Sequence, residues 1–327
     1  MKIKAKLNTK TTGRFSIAVL DSEGNPVEGK QIAETNNAVT YKGAADLFTA
    51  AANNSFSDYM FVKVGTGNTE ITRSSPDLGA PLAAQTAADR INRSTWGEVD
   101  NGDGTATYTL TAVRAFSTGA VTGTISEVGL YSQSNTLFIA GQLIKDEFGD
   151  PTTVTLLADE QLVVTYILEI TAPISGTLID SGTVDADGVT TTWELFAQPF
   201  LKTWQLNGST DGTIRYNSTP SKAIAMTSNG ITNLANVSAS YTATHNGTGT
   251  VTFNGGNVTF SPSSFNSSDC KYIGYSDYST LYDVDTSTVT EESGSFTRAL
   301  FILRFTPAIN KPSNKSLTLQ LDVDVNV

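Results

Sequence analysis

Apolar residues recur at every second position through most of this chain. The clearest run spans residues 126–171, SEVGLYSQSNTLFIAGQLIKDEFGDPTTVTLLADEQLVVTYILEIT. Residues 127–131 alternate charge and bulk. Residues 137–144 form an apolar run closed by an acidic turn at 145–151, and residues 162–170 continue in period two. Such alternation predicts strands of a sheet with one buried face.

The same pattern extends in both directions. Residues 1–9 set Lys2, Lys4 and Lys6 against Ile3, Ala5 and Leu7. This predicts an edge strand whose lysines discourage stray pairing. Residues 15–20 predict a second strand, ended by the turn Ser22-Glu23-Gly24-Asn25-Pro26. Residues 32–39 lead into the one helical pattern, residues 41–53, where Leu47, Phe48 and Ala51 share a face. Strands follow at 59–64, 91–99 and 105–116, the last two joined by Asp100-Asn101-Gly102-Asp103-Gly104, a hairpin turn signal.

Beyond residue 191 the strands become shorter and richer in threonine, as at 237–243, 250–253, 258–260, 300–305 and 317–325. Asn246-Gly247 and Asn254-Gly255-Gly256 punctuate them at hairpin spacing. The predicted fold class is therefore all-β with one short helix near 41–53, built as two β-sandwich or jelly-roll-like domains in tandem. The expected division is a first domain at 1–175, a small, polar, acidic linker at 176–190 and a second sandwich at 191–327.

Composition narrows the function. The 327 residues suffice for two cores without crosslinks. Hydrophobic residues make up 39% and charged residues 16%, so Thr, Ser, Asn and Gly supply the polar share. Those types suit solvated strand faces and turns. A net charge of -11 without a basic cluster disfavours nucleic acid and anionic membrane surfaces as partners. Nothing approaches about 18 consecutive apolar residues, so no membrane insertion is expected. The start, MKIKAKLNTKTTG, lacks the apolar core of a secretory signal. Cys270 is the single cysteine, so no intrachain disulfide forms.

Candidate chemistry is sparse. His245 and Cys270 are each the only residue of their kind, too few for a zinc site and with no sign of mutual contact. Gly65-Thr66-Gly67 lacks the Gly-Lys-Ser/Thr ending of a phosphate loop and reads as a strand-end turn. There is no Gly-x-Ser-x-Gly elbow. The expectation is no enzyme, no catalytic residue, no cofactor and no metal site. Acidic turns at 100–103, 146–150 and 180–187 leave calcium open, although hairpin chemistry explains the first two. The tyrosine-rich run KYIGYSDYSTLYDV places Tyr272, Tyr275, Tyr278 and Tyr282 as a candidate interaction surface. A tyrosine offers a flat apolar face with a hydroxyl, which suits proteins and sugars alike.

One resemblance goes further. Ser126-Glu127-Val128-Gly129-Leu130-Tyr131 is followed by the Asp146-x-x-Gly149-x-Pro151-Thr152-Thr153 turn and by Leu162-Val163-Val164-Thr165-Tyr166. With the Gly65-Thr66-Gly67 turn upstream, this order resembles a recurring module of tailed-bacteriophage virion structural proteins, of tail and tail-fibre type. The resemblance covers roughly the first half of the chain, from the helix near Leu47 to Ile170. It implies a non-enzymatic structural protein of the virion, tail-associated in a tail, fibre, collar or baseplate and made in the host cytoplasm. It also implies a homo-oligomer that touches other virion proteins through sheet edges and terminal arms. The arms expected to order on assembly are the lysine-bearing N-terminus and the stretch after Lys311. A receptor- or glycan-binding fibre tip, which would add a host-surface partner, and a capsid decoration protein of the head stay open as alternatives.

Overall fold

The computed structural model describes residues 1–44, 61–82, 95–131, 138–173, 177–197, 222–226, 233–238, 241–246, 249–255, 257–264, 267–276 and 299–326. Strands dominate them. In chain order they are β1 (Lys2–Asn8), β2 (Lys10–Leu20), β3 (Ile32–Val39), β4 (Phe61–Gly65), β5 (Thr95–Asp100), β6 (Thr105–Ala115) and β7 (Gly123–Ile125). Next come β8 (Glu127–Tyr131), β9 (Phe138–Leu143), β10 (Val154–Leu156), β11 (Gln161–Pro173), β12 (Leu178–Ala186), β13 (Val189–Ala197) and β14 (Lys222–Met226). The last are β15 (Asn233–Ser238), β16 (Tyr241–His245), β17 (Thr250–Gly255), β18 (Val258–Phe260), β19 (Ser267–Ser276), β20 (Ala299–Lys311) and β21 (Leu317–Asn326). The chain is all-β and β-sandwich-like, as its pattern predicts.

Two sets of sheets follow one another. The first contains an antiparallel eight-stranded sheet, ordered β4-β8-β9-β3-β2-β11-β6-β5, and the ribbon β10-β7. The second contains a six-stranded sheet, β12-β13-β20-β19-β14-β15, and the sheet β1-β21-β17-β16, to which β18 adds beside β21. Strand β11 shows why these residues make a sheet. Leu162, Val164, Tyr166, Leu168 and Ile170 are buried while the residues between them are half-exposed. Each large apolar side chain so buried contributes roughly 1.5–3 kcal/mol. Strands β8 and β9 are instead buried on both faces. Val128, Leu130 and Ile139 join the main core, while Tyr131 and Phe138 meet Ile71 and Leu78 from the crossing segment 66–82.

Two expectations need correction. The linker expected at 176–190 is instead the β12–β13 hairpin, ending in β13 beside β20. Asp187 and Gly188 at its turn have φ of 59° and 81°, the pairing that a two-residue hairpin turn requires. The signal was an Asp-Gly dipeptide inside a stretch whose acids and small residues suggested a flexible tether. Second, residues 1–9 do not belong to the first domain. Strand β1 lies parallel to β21, from Lys2 beside Gln320 to Asn8 beside Asn326. It is an edge strand, as expected, but of the C-terminal set. The two terminal stretches thus pair with each other in the single chain.

The helix begins where expected. Thr40 Oγ1 accepts the amide of Gly43 at 2.9 Å, a side-chain cap on the turn at 41–44. The remainder of the expected helix lies outside the described residues.

Candidate functional site

Two of the four tyrosines of the run are buried rather than on a surface. Tyr272 and Tyr275 lie in β19, between β14 and β20, and are 1% and 0% exposed. Ile273 and Gly274 are buried with them, so this strand is covered on both faces. Tyr272 stands across from Arg304, which makes a bidentate pair with Glu194 at 2.7 and 2.8 Å. That guanidinium also lies 4.9 Å from the centre of the Phe196 ring. Hydrogen bonding from Arg304 holds the Glu194 carboxyl below its ordinary range. These side chains tie β13, β20 and β19 together. Tyr278 and Tyr282 lie outside the described residues.

The two motifs behind the family resemblance meet in space. Glu127 on β8 is 0% exposed and sits opposite Gly65 at the end of β4. Its Oε1 accepts the amides of Gly67 at 3.0 Å and Ala80 at 2.7 Å, and its Oε2 accepts that of Gly79 at 2.8 Å. Ser126 Oγ donates to Gly67 O at 2.6 Å. The Ser-Glu pair thus binds the Gly65-Thr66-Gly67 turn and the segment that crosses β8. Charge-assisted bonds to amides are about twice as strong as neutral ones, which suits a buried carboxylate. At the other end of β8, Tyr131 donates to Asp77, and Lys63 lies 4.1 Å above its ring. Burial, reinforced by the Asp77 carboxylate, keeps the Tyr131 hydroxyl protonated far above its ordinary range. Sequence reasoning placed Glu127 in its motif but assigned its carboxylate no partner. Its one signal was an acid inside a short strand otherwise built of Val, Gly, Leu and Tyr.

The acidic turns consume their own carboxylates. Asp146 Oδ1 accepts the amides of Phe148 at 2.9 Å and Asp150 at 3.0 Å. Asp21, in Asp21-Ser22-Glu23-Gly24-Asn25-Pro26, accepts Glu23 and Asn25 at 2.9 and 2.8 Å in the same way. Both turns place Gly at positive φ, 85° at Gly24 and 88° at Gly149, and both close beside a proline, Pro26 or Pro151. One Asp-x-x-Gly-Asn/Asp-Pro turn is therefore used twice. Asp103 accepts the Thr105 amide and hydroxyl, and Asp187 pairs with Lys315 at 2.6 Å. Among the described residues no three His, Cys, Asp or Glu side chains gather to hold a metal ion.

His245 ends β16, opposite Val251. Cys270 is a buried thiol on β19, in the other sheet of the second set. A cleft of about 320 Å³ lies between the β12–β13 turn and the β20–β21 connection, with Asp187, Lys311 and Lys315 in its wall. Lys311 donates to Pro262 O at 3.3 Å, and Lys315 is taken by Asp187, so both cations already serve the protein itself. Among the described residues no helix is long and apolar enough to cross a membrane.

The terminal strand pair carries the strongest charge pattern. Lys2, Lys4 and Lys6 project from the exposed face of β1 beside Gln320, Asp322 and Asp324 on β21. Lys2 Nζ lies 3.6 Å from Asp322, and Thr252 donates to Asp324 at 2.6 Å. Ile3, Ala5 and Leu7 point the other way, into the core. Compared with known proteins, the chain matches no family model, no curated protein and no solved structure.

Proposed function

We propose that this protein is a non-enzymatic structural component of a tailed-bacteriophage particle, tail-associated and present in multiple copies. The observation that carries the reading is the use made of its motif residues. Glu127, Ser126 and the Gly65-Thr66-Gly67 turn bind backbone to backbone across β8 and β4. The residues whose order resembles a tail-type module thus serve the sheet. The carboxylates of Asp21, Asp103 and Asp146 are used in the same manner, inside their own turns. Extended sheets, held by such joints and by apolar burial, suit a part that bears contacts with neighbours rather than one that turns over a substrate.

Deleting the gene from the phage that carries it tests this reading. Tail-less or tail-defective particles are expected. Complete particles that fail only to adsorb would favour a receptor- or glycan-binding tip instead. Unstable heads with intact tails would favour capsid decoration.

A further inference from the structure

One of the chain's two passages between the sets of sheets is a single residue. Strand β1 ends at Asn8, Thr9 intervenes, and β2 begins at Lys10 in a different sheet. Thr9 is pinned at that junction, its amide and hydroxyl both donating to Asn326 O at 3.0 and 2.9 Å. All ladder bonds of β1 go to β21, at the opposite end of the chain. Gln320 N donates to Met1 O and Asn326 O accepts from Thr9, so odd-numbered residues of this segment bond β21. Even-numbered ones turn their backbone outward, where Lys6 N meets a side chain, Asp180 Oδ2, at 3.0 Å. A side chain rather than a second ladder holds that outer edge.

The slot for β1 is specific. It takes apolar side chains at Ile3, Ala5 and Leu7, each no more than 3% exposed, and lysines beside Asp322 and Asp324. An identical strand from another molecule fills it with identical contacts, so exchange between copies loses none of them. This is the condition under which a terminal element swaps. At the high local concentration of an assembly a neighbour's strand gains ground against a chain's own tethered one, above all when each copy both gives and receives a strand.

We propose that β1 is an exchangeable strand, which in the assembled protein pairs in the same parallel register with β21 of a second copy of this chain. The idea rests on the multi-copy reading above and names its connecting element. Insertion of a strand at a sheet edge supplies main-chain bonds for affinity, and the alternating pockets supply selectivity. A chain linked this way joins its neighbour through its first residues while its eight-stranded sheet stays its own.

Two full-length variants, each with one added cysteine, test it, Lys6→Cys and Asp324→Cys, positions that face each other in register. Cys270 is buried and does not take part. The variants are assembled together at high concentration, oxidised and separated without reductant, and each is also oxidised alone. A disulfide joining one chain of each kind, at twice 34.6 kDa, is expected in the mixture. The double variant is expected to give a covalent ladder. No mixed disulfide, with the double variant closing only within single chains, overturns the proposal. Ala5→Cys with Val323→Cys, the adjacent register pair, repeats the test from the buried face if the first pair folds poorly. The two readings fail separately. A protein found in the particle but crosslinked only within chains keeps the virion role and loses strand exchange. Crosslinked copies that never enter a particle do the reverse.

Discussion

Gly67 lies so close to Glu127 that no side chain fits between them: a Cβ on Gly67 would stand 2.6 Å from both carboxylate oxygens. The glycine and the acid therefore depend on each other. Glu127→Ala leaves three amides without their acceptor and is expected to cost about 3–5 kcal/mol, a fall of roughly 10 °C in Tm. Gly67→Ala is expected to destabilise in the same direction by forcing the carboxylate aside. Thermal unfolding followed by circular dichroism measures both. An unchanged Tm for Glu127→Ala would show that the buried acid is dispensable.

Acid should loosen the fold through identifiable groups. Hydrogen bonds from Lys30 and Arg304 hold Glu160 and Glu194 below 4.5, the ordinary glutamate value. The Asn25 amide and the Thr105 hydroxyl hold Asp21 and Asp103 below 3.8. A carboxyl depressed in the folded state contributes stability that is complete above its unfolded value and is lost as pH falls through the folded one. Stability is thus expected to be flat with respect to these groups near neutrality and to decline below about pH 4.5. Glu194→Gln should lower Tm at pH 7, and its gap from the parent protein should close as pH falls. A gap that widens in acid would contradict this assignment.

Removing residues 1–9 should damage the far end of the sequence. Ile3 and Leu7 each contribute roughly 1.5–3 kcal/mol of burial to the core behind β21. Hydrogen exchange read by mass spectrometry is expected to quicken in β21 and β17 while β2, β6 and β11 keep their protection. Equal loosening of both sets of sheets would count against the topology.

The β12–β13 hairpin should resist proteases. Trp193 is 7% exposed and Leu195 is 0% exposed, so β13 is anchored in the core. Limited proteolysis is expected to spare residues 178–197. A first cut inside 178–190 would restore the linker reading.

Much of this fold was legible, because period-two burial writes itself into the chain one residue at a time. Strands β2, β11 and, over most of its length, β21 follow their apolar alternation. What escaped was pairing between distant segments. Nothing in Lys2-Ile3-Lys4-Ala5-Lys6-Leu7 names its partner, although three lysines matched to Asp322 and Asp324 are visible in hindsight as complementary charge. Tyr272 and Tyr275 misled for a different reason. A tyrosine suits a surface and a core equally, and only the position of β19 between two strands decides. Glu127 was seen as part of a motif but not as its centre, because its three donors come from residues 47 to 60 positions away.

The most direct test is to locate the protein. Gold-labelled antibody raised against this chain is applied to purified particles of the phage that carries its gene, and the particles are imaged by electron microscopy. Label at repeated, fixed positions on the tail is the expected result. Particles that carry no label, while the protein is abundant elsewhere in the infected cell, would contradict a structural role in the virion.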